Sequence, residues 1–522
     1  MLPKILTIPH MVAETAKRRP GAIAIEEGSH KLSYGELDNL RMQAARALMA
    51  LGISPGDRVA IWAPNCWEWI VATIGLHTAG AALVPINTRM KGQEAADIIK
   101  RSGTKVLFVV GDFLGTNYLS MLDGLDLGSL KHKILLRGDA PGTLGWDEFL
   151  AKGDEVSLAD AQARMDSVTP DTLSDLMFTS GTTGRSKGVM TSHGQNLRTF
   201  AAWAERVTLG PDDRYLIVNP FFHSFGYKAG WLAALMQGAT VLPHAVFDAD
   251  AVLRRIAEEK ISFLPGAPTV YLSLLAHPKL KDYDISSLRV AVTGAATIPP
   301  ALVKRMWEEL GLKVVVTAYG LTECCGCATV CVPDSDAETI ATTSGSAIDG
   351  IELRCVDAEN KPVPTGEAGE IVIRGFNVMQ GYFEDEAATE EAIDTEGWLH
   401  TGDVGVLDER GNLRITDRLK DMFIVGGFNC YPAEIENLMA PHPAIAQVAV
   451  VGVPDERMGE VGCAFAILKP GHSLTEAELI AWCRANMSNY KVPRHVRILN
   501  TFPLNASGKV LKRELRDGFK PA

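Results

Sequence analysis

The sequence predicts an α/β domain followed by a smaller α+β domain, and two observations carry this prediction. In the middle of the chain, short apolar strands alternate with helix-like segments, which is the pattern of an α/β fold. From about residue 420 a separate unit begins, in which the order of the predicted helices and strands suggests a small α+β domain. With 522 residues, of which 47% are hydrophobic and 22% charged, the chain is long enough to bury the cores of several domains.

Three strands and one helix define the central α/β region. A helix is predicted behind Pro299 and Pro300, because the apolar residues of 301–310 fall on one helical face. Residues 346–416 have repeated glycines and short β-branched runs such as EIVIR (370–374), which predict smaller β elements. The buried strands are predicted from the runs RYLIVN (214–219), LRVAVT (288–293) and KVVVT (313–317).

The last part of the chain predicts a separate small α+β domain. Its predicted elements are, in order, a helix over 432–439, strands over 447–453 and 464–468, a helix over 475–487 and a strand over 495–499.

Composition and charge argue against a nucleic-acid partner and against a membrane span. A net charge of −12 and a pI near 5.6 argue against nucleic acid, which requires a basic face. The first residues lack the apolar core of a signal peptide. The longest apolar-leaning stretch, near residues 71–86, is short and contains His77. We therefore expect a cytoplasmic protein without a membrane span.

The nine cysteines are an odd number scattered over a long chain, which fits a reducing compartment. Four of them cluster within residues 324–331, but no second Cys or His pair completes the spacing of a structural zinc site. We favour small core or pocket-lining residues over a metal centre in this cluster.

A loop rich in glycine and hydroxyl residues follows the apolar run at residues 176–178. In this loop, TSGTTGRSKG (179–188), small residues let main-chain N–H groups approach a ligand, and Lys187 adds positive charge. A phosphate is the natural ligand, although the spacing is not that of a Walker A loop, since Gly188 rather than Ser or Thr follows the lysine. A plain surface loop is the alternative.

Four further stretches join this loop: TAYGLTE (317–323), GWLHTGD (397–403), DRLKD (417–421) and NASGKVLKREL (505–515). In this order and at these separations they resemble the adenylate-forming superfamily of acyl-CoA synthetases, luciferases and peptide-synthetase adenylation domains. The resemblance runs from LSYGELD (32–38) to LKREL (511–515). It implies a large N-terminal domain over 1–419, with α/β sheets and a small β subdomain, and a small mobile α+β domain over 420–522.

The resemblance also implies the reaction. A carboxylate attacks the α-phosphate of ATP, pyrophosphate leaves, and the acyl-adenylate then reacts with a thiol. ATP, Mg²⁺ and CoA are the implied cofactor and co-substrates. The residues that match the family's triphosphate loop are Thr179, Ser180, Gly181, Thr182, Thr183, Gly184 and Lys187.

Five residues match other nucleotide positions of the family. Tyr319 matches the residue that stacks on adenine, and Thr322 matches the one that hydrogen-bonds the α-phosphate. Glu323 matches the metal ligand, which suits Mg²⁺ because that cation prefers carboxylate and phosphate oxygens. Asp403 matches the carboxylate that binds both ribose hydroxyls, and Arg418 lies beside it in the family.

Four residues near the C-terminus match positions with a role in domain movement. Lys509 matches the catalytic lysine that bridges the carboxylate and the α-phosphate, and Lys420 matches the hinge. Gly426 and Gly427 match the loop beside the pantetheine tunnel, where a plain turn is the alternative. Rotation at the hinge would move Lys509 away before the thiol enters.

The acid substrate is predicted from the stretch NPFFHSFG (219–226). By the resemblance, His223 is a catalytic-site residue that matches the position facing the acyl pocket and gating access to it. Amino-acid adenylation domains usually have an aspartate there, which pairs with the substrate's ammonium, so the histidine argues against an amino acid. An actinobacterial ligase for ring-containing propanoates is the suspected narrower match, and fatty or aryl acids stay open. The residues expected to line the acyl pocket are Phe222, Phe225, Gly226, Gly294, Ala295, Gly326 and Cys327.

Two alternatives to a free-standing acyl-CoA synthetase stay open: an acyl-AMP ligase that delivers to a carrier protein, and a nucleotide-binding homologue without catalysis. The retained Lys187, Glu323 and Lys509 argue against the second. The oligomeric state is open, with a homodimer as one option.

Overall fold

The computed structural model describes residues 5, 7–179, 186–294, 298–418, 421–425, 428–455, 458–487, 489–504 and 509–520. The chain divides into two compact units. The first comprises Met1–Leu353, Ile373–Leu399 and Arg410–Asn412, and the second comprises Arg354–Val372, His400–Glu409 and Leu413–Ala522. The predicted domain boundary at residues 419 and 420 stays a prediction.

The first unit contains a nine-stranded sheet whose six inner strands are parallel and whose outer strands are antiparallel. The inner strands are almost fully buried, as expected when helices cover both faces of a parallel sheet. In spatial order the strands are Ser346–Ala347, Thr329–Val330, Val314–Tyr319, Val290–Gly294, Phe263–Pro265, Arg214–Ile217, Thr240–Pro243, Ile23–Glu27 and His30–Ser33.

A second sheet of the same unit has eight strands, and two antiparallel pairs form one of its edges. The other strands run parallel. In spatial order they are Gly381–Tyr382, Lys187–Ser192, Leu173–Thr179, Ala82–Pro85, Arg58–Trp62, Val106–Val109, His132–Leu135 and Leu144–Gly145. A separate hairpin pairs Asp112–Phe113 with Thr116–Asn117.

The helices of the first unit follow local sequence signals. Ser33 and Glu36 form a capping box at the start of Tyr34–Ala50, and all residues of Trp67–Thr78 except the first are buried. The helices are Ile8–Arg18, Tyr34–Ala50, Trp67–Thr78, Gly92–Arg101, Trp146–Ala151, Leu158–Asp166, His193–Arg206, Ser224–Gly226, Ala233–Gln237, Ala249–Glu259, Pro268–Leu275, Pro300–Leu310, Ala337–Thr342 and Glu386–Ala392, with a π-helix over Tyr227–Leu232 and 3₁₀ turns at Ser120–Leu122, Lys152–Glu155, Leu280–Asp282 and Thr322–Cys324.

The predicted elements of the central region are confirmed, with shifted ends. The strands begin or end up to two residues from the predicted positions. The helix Pro300–Leu310 has proline at its first positions and ends at Gly311, whose φ of 68° provides a left-handed cap.

The small β elements predicted within residues 346–416 form part of a four-stranded sheet. Its strands are, in spatial order, Ile351–Val356, Ala368–Gly375, Leu399–Leu407 and Leu413–Arg418.

The small α+β domain predicted near the C-terminus is present in the second unit. The helix Glu476–Asn486 begins behind a capping box formed by Thr475 and Glu478. The sheet comprises Phe428–Cys430, Phe423–Val425, Gly459–Leu468 and Ile445–Asp455, with His495–Ile498 parallel to Gly459–Leu468; the other helices are Pro432–Met439 and Lys512–Asp517.

Three further observations concern the cysteines, possible metal-binding groups and the lengths of the helices. All nine cysteines are buried and none is paired in a disulfide, and burial agrees with the preference for core residues at positions 324–331. In the part of the chain that the structure describes, no group of three or more His, Cys, Asp or Glu side chains could hold a metal. The same part contains no helix with the length and apolar character needed to cross a membrane.

A fully buried ion pair lies behind the strand that leads into the glycine-rich loop. Lys228 Nζ is 2.9 Å from Asp175 Oδ1, and both side chains have no exposed surface. Thr191 Oγ1 donates to Asp175 Oδ1 at 2.7 Å. Asn196 Nδ2 and Ser174 Oγ donate to Asp175 Oδ2 at 2.7 and 2.8 Å. A buried charge with this many partners is costly to leave unpaired.

We expect Lys228→Met to lower the free energy of unfolding by about 3–5 kcal/mol, because it leaves the buried Asp175 carboxylate without its counter-charge. Thermal unfolding should show a lower melting temperature. The matched control is Lys100→Met, which breaks an exposed pair with Asp126 at 2.7 Å and should change the melting temperature little. Equal effects of the two substitutions would contradict the expected cost of leaving the buried Asp175 carboxylate unpaired.

Candidate active site

The candidate site lies at one edge of the nine-stranded sheet. The parallel strands Arg214–Ile217, Val290–Gly294 and Val314–Tyr319 run in the same direction, and Gly294 is in register with Ala318. Their carboxyl ends therefore meet at the same edge, where open α/β sheets bind ligands. The topology brings the predicted acyl and adenine positions, which follow these strands in the sequence, to one place.

His223 lies just after the first of these strands. It precedes the short helix Ser224–Gly226, and its Nδ1 accepts a hydrogen bond from the Phe225 N–H at 3.2 Å. Desolvation lowers the pKa of the imidazole.

The two phenylalanines predicted for the acyl pocket flank His223. Phe222 and Phe225 are partly buried. The neighbouring Phe221 is fully buried and packs edge-on against Trp69, with the ring centroids 5.5 Å apart. This contact anchors the segment to the core of the first unit.

Two of the predicted pocket glycines are required by the backbone. A Cβ on Gly226 would lie 2.2 Å from the carbonyl oxygen of Pro220, so no side chain fits there. Gly326 has a φ of 98°, in the left-handed region, and its Cβ would lie 2.8 Å from the Ser224 side chain. Their small size thus serves the fold, whatever they do for a substrate.

The other predicted pocket positions have different surroundings. Among the described residues, a Cβ on Gly294 would meet only the carbonyl oxygen of Ala318, at 3.2 Å, so a small side chain is accommodated with a slight shift. Cys327 is buried, and its carbonyl accepts a hydrogen bond from Asn377 Nδ2 at 3.0 Å. Ala295 lies outside the described residues.

A tight turn carries Thr322 and Glu323. After the strand ending at Tyr319, which is partly buried, the chain forms the 3₁₀ turn Thr322–Cys324. The backbone carbonyl of Glu323 accepts from the Met379 N–H at 2.8 Å, and its Oε1 accepts from the Tyr382 hydroxyl at 3.0 Å. The Glu323 side chain is therefore fixed by Tyr382, a residue that the sequence did not identify.

The glycine-rich loop connects two antiparallel strands. Thr179 ends one strand and is in register with Lys187, which begins the next. Lys187 Nζ lies 4.8 Å from the centroid of the Tyr382 ring. Five of the predicted triphosphate-binding residues lie outside the described residues: Ser180, Gly181, Thr182, Thr183 and Gly184.

Burial, and to a smaller extent the neighbouring Glu323 carboxylate, raise the pKa of Tyr382 far above its usual value. The phenol therefore stays protonated and donates to Glu323 throughout the physiological range.

Arg101 is a second residue that the sequence did not identify. Its guanidinium donates to the carbonyl oxygen of Ser186 at 2.9 Å and to Ser186 Oγ at 3.3 Å. The same group lies 5.3 Å from the Phe178 ring. Arg101 therefore holds the end of the loop next to Lys187. No local pattern at Arg101 indicates these contacts, because its partners lie far along the chain.

Asp403 lies in the second unit, on the strand Leu399–Leu407. It is buried, with 7% of its surface exposed, and its backbone position lies opposite Arg418 in the antiparallel pairing of the two strands. Its N–H donates to Thr401 Oγ1 at 3.1 Å. The register thus places the two predicted nucleotide positions side by side.

The predicted residues for domain movement are described only in part. Lys509 is exposed and comes directly before Val510, which forms an antiparallel bridge with Leu504. Lys420, Gly426 and Gly427 lie outside the described residues.

Comparison with known proteins places the chain in a family. Residues 12–383 match the model of the AMP-binding enzyme family, and residues 434–509 match the model of the AMP-binding enzyme C-terminal domain. The chain belongs to the AMP-binding enzymes.

Its similarity to individual family members extends over the whole chain. The Mycobacterium tuberculosis 3-(7a-methyl-1,5-dioxo-octahydro-1H-inden-4-yl)propanoyl:CoA ligase is 50% identical over 518 residues, covering 99% of this chain and 100% of the ligase. The ligase of the same name from Rhodococcus jostii is 50% identical over 520 residues, covering 98% and 99%. The anthranilate CoA ligase AuaEII in complex with anthranoyl-AMP has a TM-score of 0.84 at 27% identity, covering 99% of this chain and 98% of that one.

These similarities confirm the predicted superfamily and fold class. This AMP-binding enzyme is an AMP-forming acyl-CoA synthetase, as predicted, and ATP and CoA are its co-substrates. The roles of the individual site residues stay predictions.

Proposed function

We propose that this acyl-CoA synthetase activates a propanoic acid with a fused-ring substituent and transfers the acyl group to CoA. The observation that carries the proposal is the 50% identity, over almost the whole chain, to two ligases named for such an acid. The suspected match from the sequence points to the same class of acid. His223 in place of an aspartate supports a substrate without an α-ammonium group.

In the proposed adenylation step, a carboxylate oxygen attacks the α-phosphorus of ATP and pyrophosphate leaves. The glycine-rich loop and Lys187 would hold the triphosphate, and Thr322 would donate to the α-phosphate. Lys509 would bridge the carboxylate and the α-phosphate. Positive charge held in place before reaction stabilises the charge that develops on the phosphate oxygens.

Mg²⁺ fits the donors that the structure provides. Tyr382 engages one oxygen of Glu323, and among the described residues no lysine or arginine forms an ion pair with this carboxylate. A single carboxylate suits Mg²⁺, which is commonly held by one or two carboxylates together with substrate phosphates. When bound there, the cation would neutralise charge on the triphosphate.

In the proposed second step, the thiol of CoA attacks the acyl-adenylate carbonyl and AMP leaves. Asp403, with Arg418 opposite it, would bind the ribose and hold the adenylate during both steps. Rotation at Lys420 would remove Lys509 and bring Gly426 and Gly427 beside the thiol. The buried cysteines, none of them paired in a disulfide, fit the proposed cytoplasmic location.

The proposal is tested by ATP-dependent thioester formation with free CoA and a panel of acids. The panel contains a fused-ring propanoate, a medium-chain fatty acid, an aryl acid and an amino acid. We expect kcat/KM to be at least about tenfold higher for the ring-bearing acid. Preference for another acid would overturn the substrate proposal. Adenylate formation without thioester formation on free CoA would instead favour a carrier-protein acceptor.

We expect Lys509→Ala to lower acyl-adenylate formation about a hundredfold or more, because the lysine stabilises charge only in that step. Thioester formation from presynthesised acyl-adenylate should change little. Pyrophosphate exchange measures the first step and thioester release the second. The matched control is Lys469→Ala, another exposed lysine of the second unit, which should leave both steps unchanged. Equal loss of both steps in Lys509→Ala would contradict the assignment.

We expect Gly294→Ala to lower kcat/KM for the ring-bearing acid about tenfold and to leave butyrate almost unaffected, because the added methyl group narrows only the space that a large acid needs. The comparison variant is Gly226→Ala. Its Cβ would overlap the carbonyl oxygen of Pro220, so it should lower the melting temperature and the activity with both acids. A uniform loss with Gly294→Ala at an unchanged melting temperature would remove Gly294 from the acyl pocket.

A further inference from the structure

Tyr382 occupies a special position between the two charged groups proposed for triphosphate and metal binding. It belongs to the two-residue strand Gly381–Tyr382, which pairs antiparallel with Lys187–Ser192 so that Tyr382 lies opposite Val189. Its hydroxyl donates to Glu323 Oε1 at 3.0 Å, while the Lys187 ammonium lies 4.8 Å from its ring centroid. One side chain thus contacts both the cation and the carboxylate.

The backbone on both sides of Tyr382 is fixed to the same two elements. The N–H of Met379 donates to the Glu323 carbonyl at 2.8 Å, and the N–H of Phe383 donates to the Gly188 carbonyl at 2.7 Å. The backbone around Tyr382 is therefore joined by hydrogen bonds both to the Glu323 turn and to the strand Lys187–Ser192.

The Tyr382 side chain contacts two groups of opposite charge, the Lys187 ammonium and the Glu323 carboxylate. An ammonium and a carboxylate that lie close together in a partly buried site attract each other strongly. In the described structure Lys187 and Glu323 do not form an ion pair with each other. A direct pair would use the charge of the lysine that the triphosphate needs and the carboxylate oxygen that a metal needs. The aromatic face offers the ammonium a weaker, neutral contact, and the hydroxyl satisfies only one carboxylate oxygen.

We propose that Tyr382 is a positioning residue that keeps Lys187 and Glu323 apart, so that the lysine stays available to the triphosphate and the second Glu323 oxygen to Mg²⁺. The inference rests on the proposed roles of these two residues. It is independent of which acid the enzyme activates.

Two substitutions separate the two contacts of Tyr382. Tyr382→Phe keeps the ring under Lys187 and removes the hydroxyl, whereas Tyr382→Leu removes both contacts. We expect Tyr382→Phe to raise about tenfold the Mg²⁺ concentration that gives half of the Mg²⁺-dependent increase in ATP affinity, as for other residues that orient a metal ligand. Its affinity for ATP in EDTA should stay within about twofold of the wild type, because the ring still holds Lys187.

Tyr382→Leu lets the lysine and the glutamate pair, so ATP should bind about tenfold or more weakly both in EDTA and with Mg²⁺. Calorimetric titration of ATP, with and without Mg²⁺, measures these affinities without any acid substrate. A failure of the ring-propanoate proposal therefore leaves this test intact. The matched control is Tyr283→Phe, which removes a tyrosine hydroxyl that donates to Asp250 at 2.6 Å elsewhere and should leave both titrations unchanged.

Two results would overturn the inference. One is an unchanged Mg²⁺ requirement in Tyr382→Phe. The other is an equal loss of ATP affinity in EDTA for the Phe and Leu variants, which would mean that the ring does not hold Lys187. If both variants only lower the melting temperature, with ATP and Mg²⁺ titrations as in the wild type, Tyr382 supports the fold and the positioning role is wrong.

Discussion

At one edge of the eight-stranded sheet, Gly381–Tyr382 pairs with Lys187–Ser192, although the two strands are far apart in the sequence. In the proposed nucleotide site, this pairing places Tyr382 beside Lys187 and connects the Glu323 turn to the same edge. A two-residue strand has few ladder hydrogen bonds of its own. The amide side chain of Gln195, which also belongs to the capping box of the following helix, donates to the Val378 carbonyl and reinforces the segment.

A second constraint acts on the antiparallel strands on either side of the glycine-rich loop, Leu173–Thr179 and Lys187–Ser192: the buried pair of Asp175 and Lys228. Asp175 lies in the strand that leads into the glycine-rich loop, and Lys228 lies in the π-helix that follows His223. The pair thus joins the loop hairpin to the segment proposed to line the acyl pocket. A buried ion pair contributes little net stability but strongly penalises arrangements in which the partners separate. It therefore fixes the position of one segment relative to the other, which suits a site where phosphate and carboxylate must meet.

Much of the fold could be predicted from the sequence, because the central strands and the C-terminal elements have clear apolar periodicity. The resemblance supplied the site residues one at a time, but it could not supply contacts between distant segments. Tyr382 and Arg101 were missed because no local pattern distinguishes them. Gly226 was predicted from its small size, whereas the structure shows that a carbonyl oxygen occupies the space of a side chain. Such close approaches depend on the folded backbone, so the spacing of residues in the sequence does not reveal them.

The backbone at the carboxyl edge of the nine-stranded sheet limits which residues of the proposed acyl pocket could change to accept a different acid. Gly226 and Gly326 are fixed by close contacts and by a left-handed φ, so neither can change with the substrate. Gly294 is under no such constraint, and the partly buried Phe222 and Phe225 contact solvent as well as protein. Of the three glycines proposed to line the acyl pocket, Gly294 is therefore the one that accommodates a small side chain with a slight shift. The residues on the neighbouring strand and turn, Tyr319 to Glu323, are proposed to act on ATP, so their proposed roles do not depend on which carboxylic acid is bound.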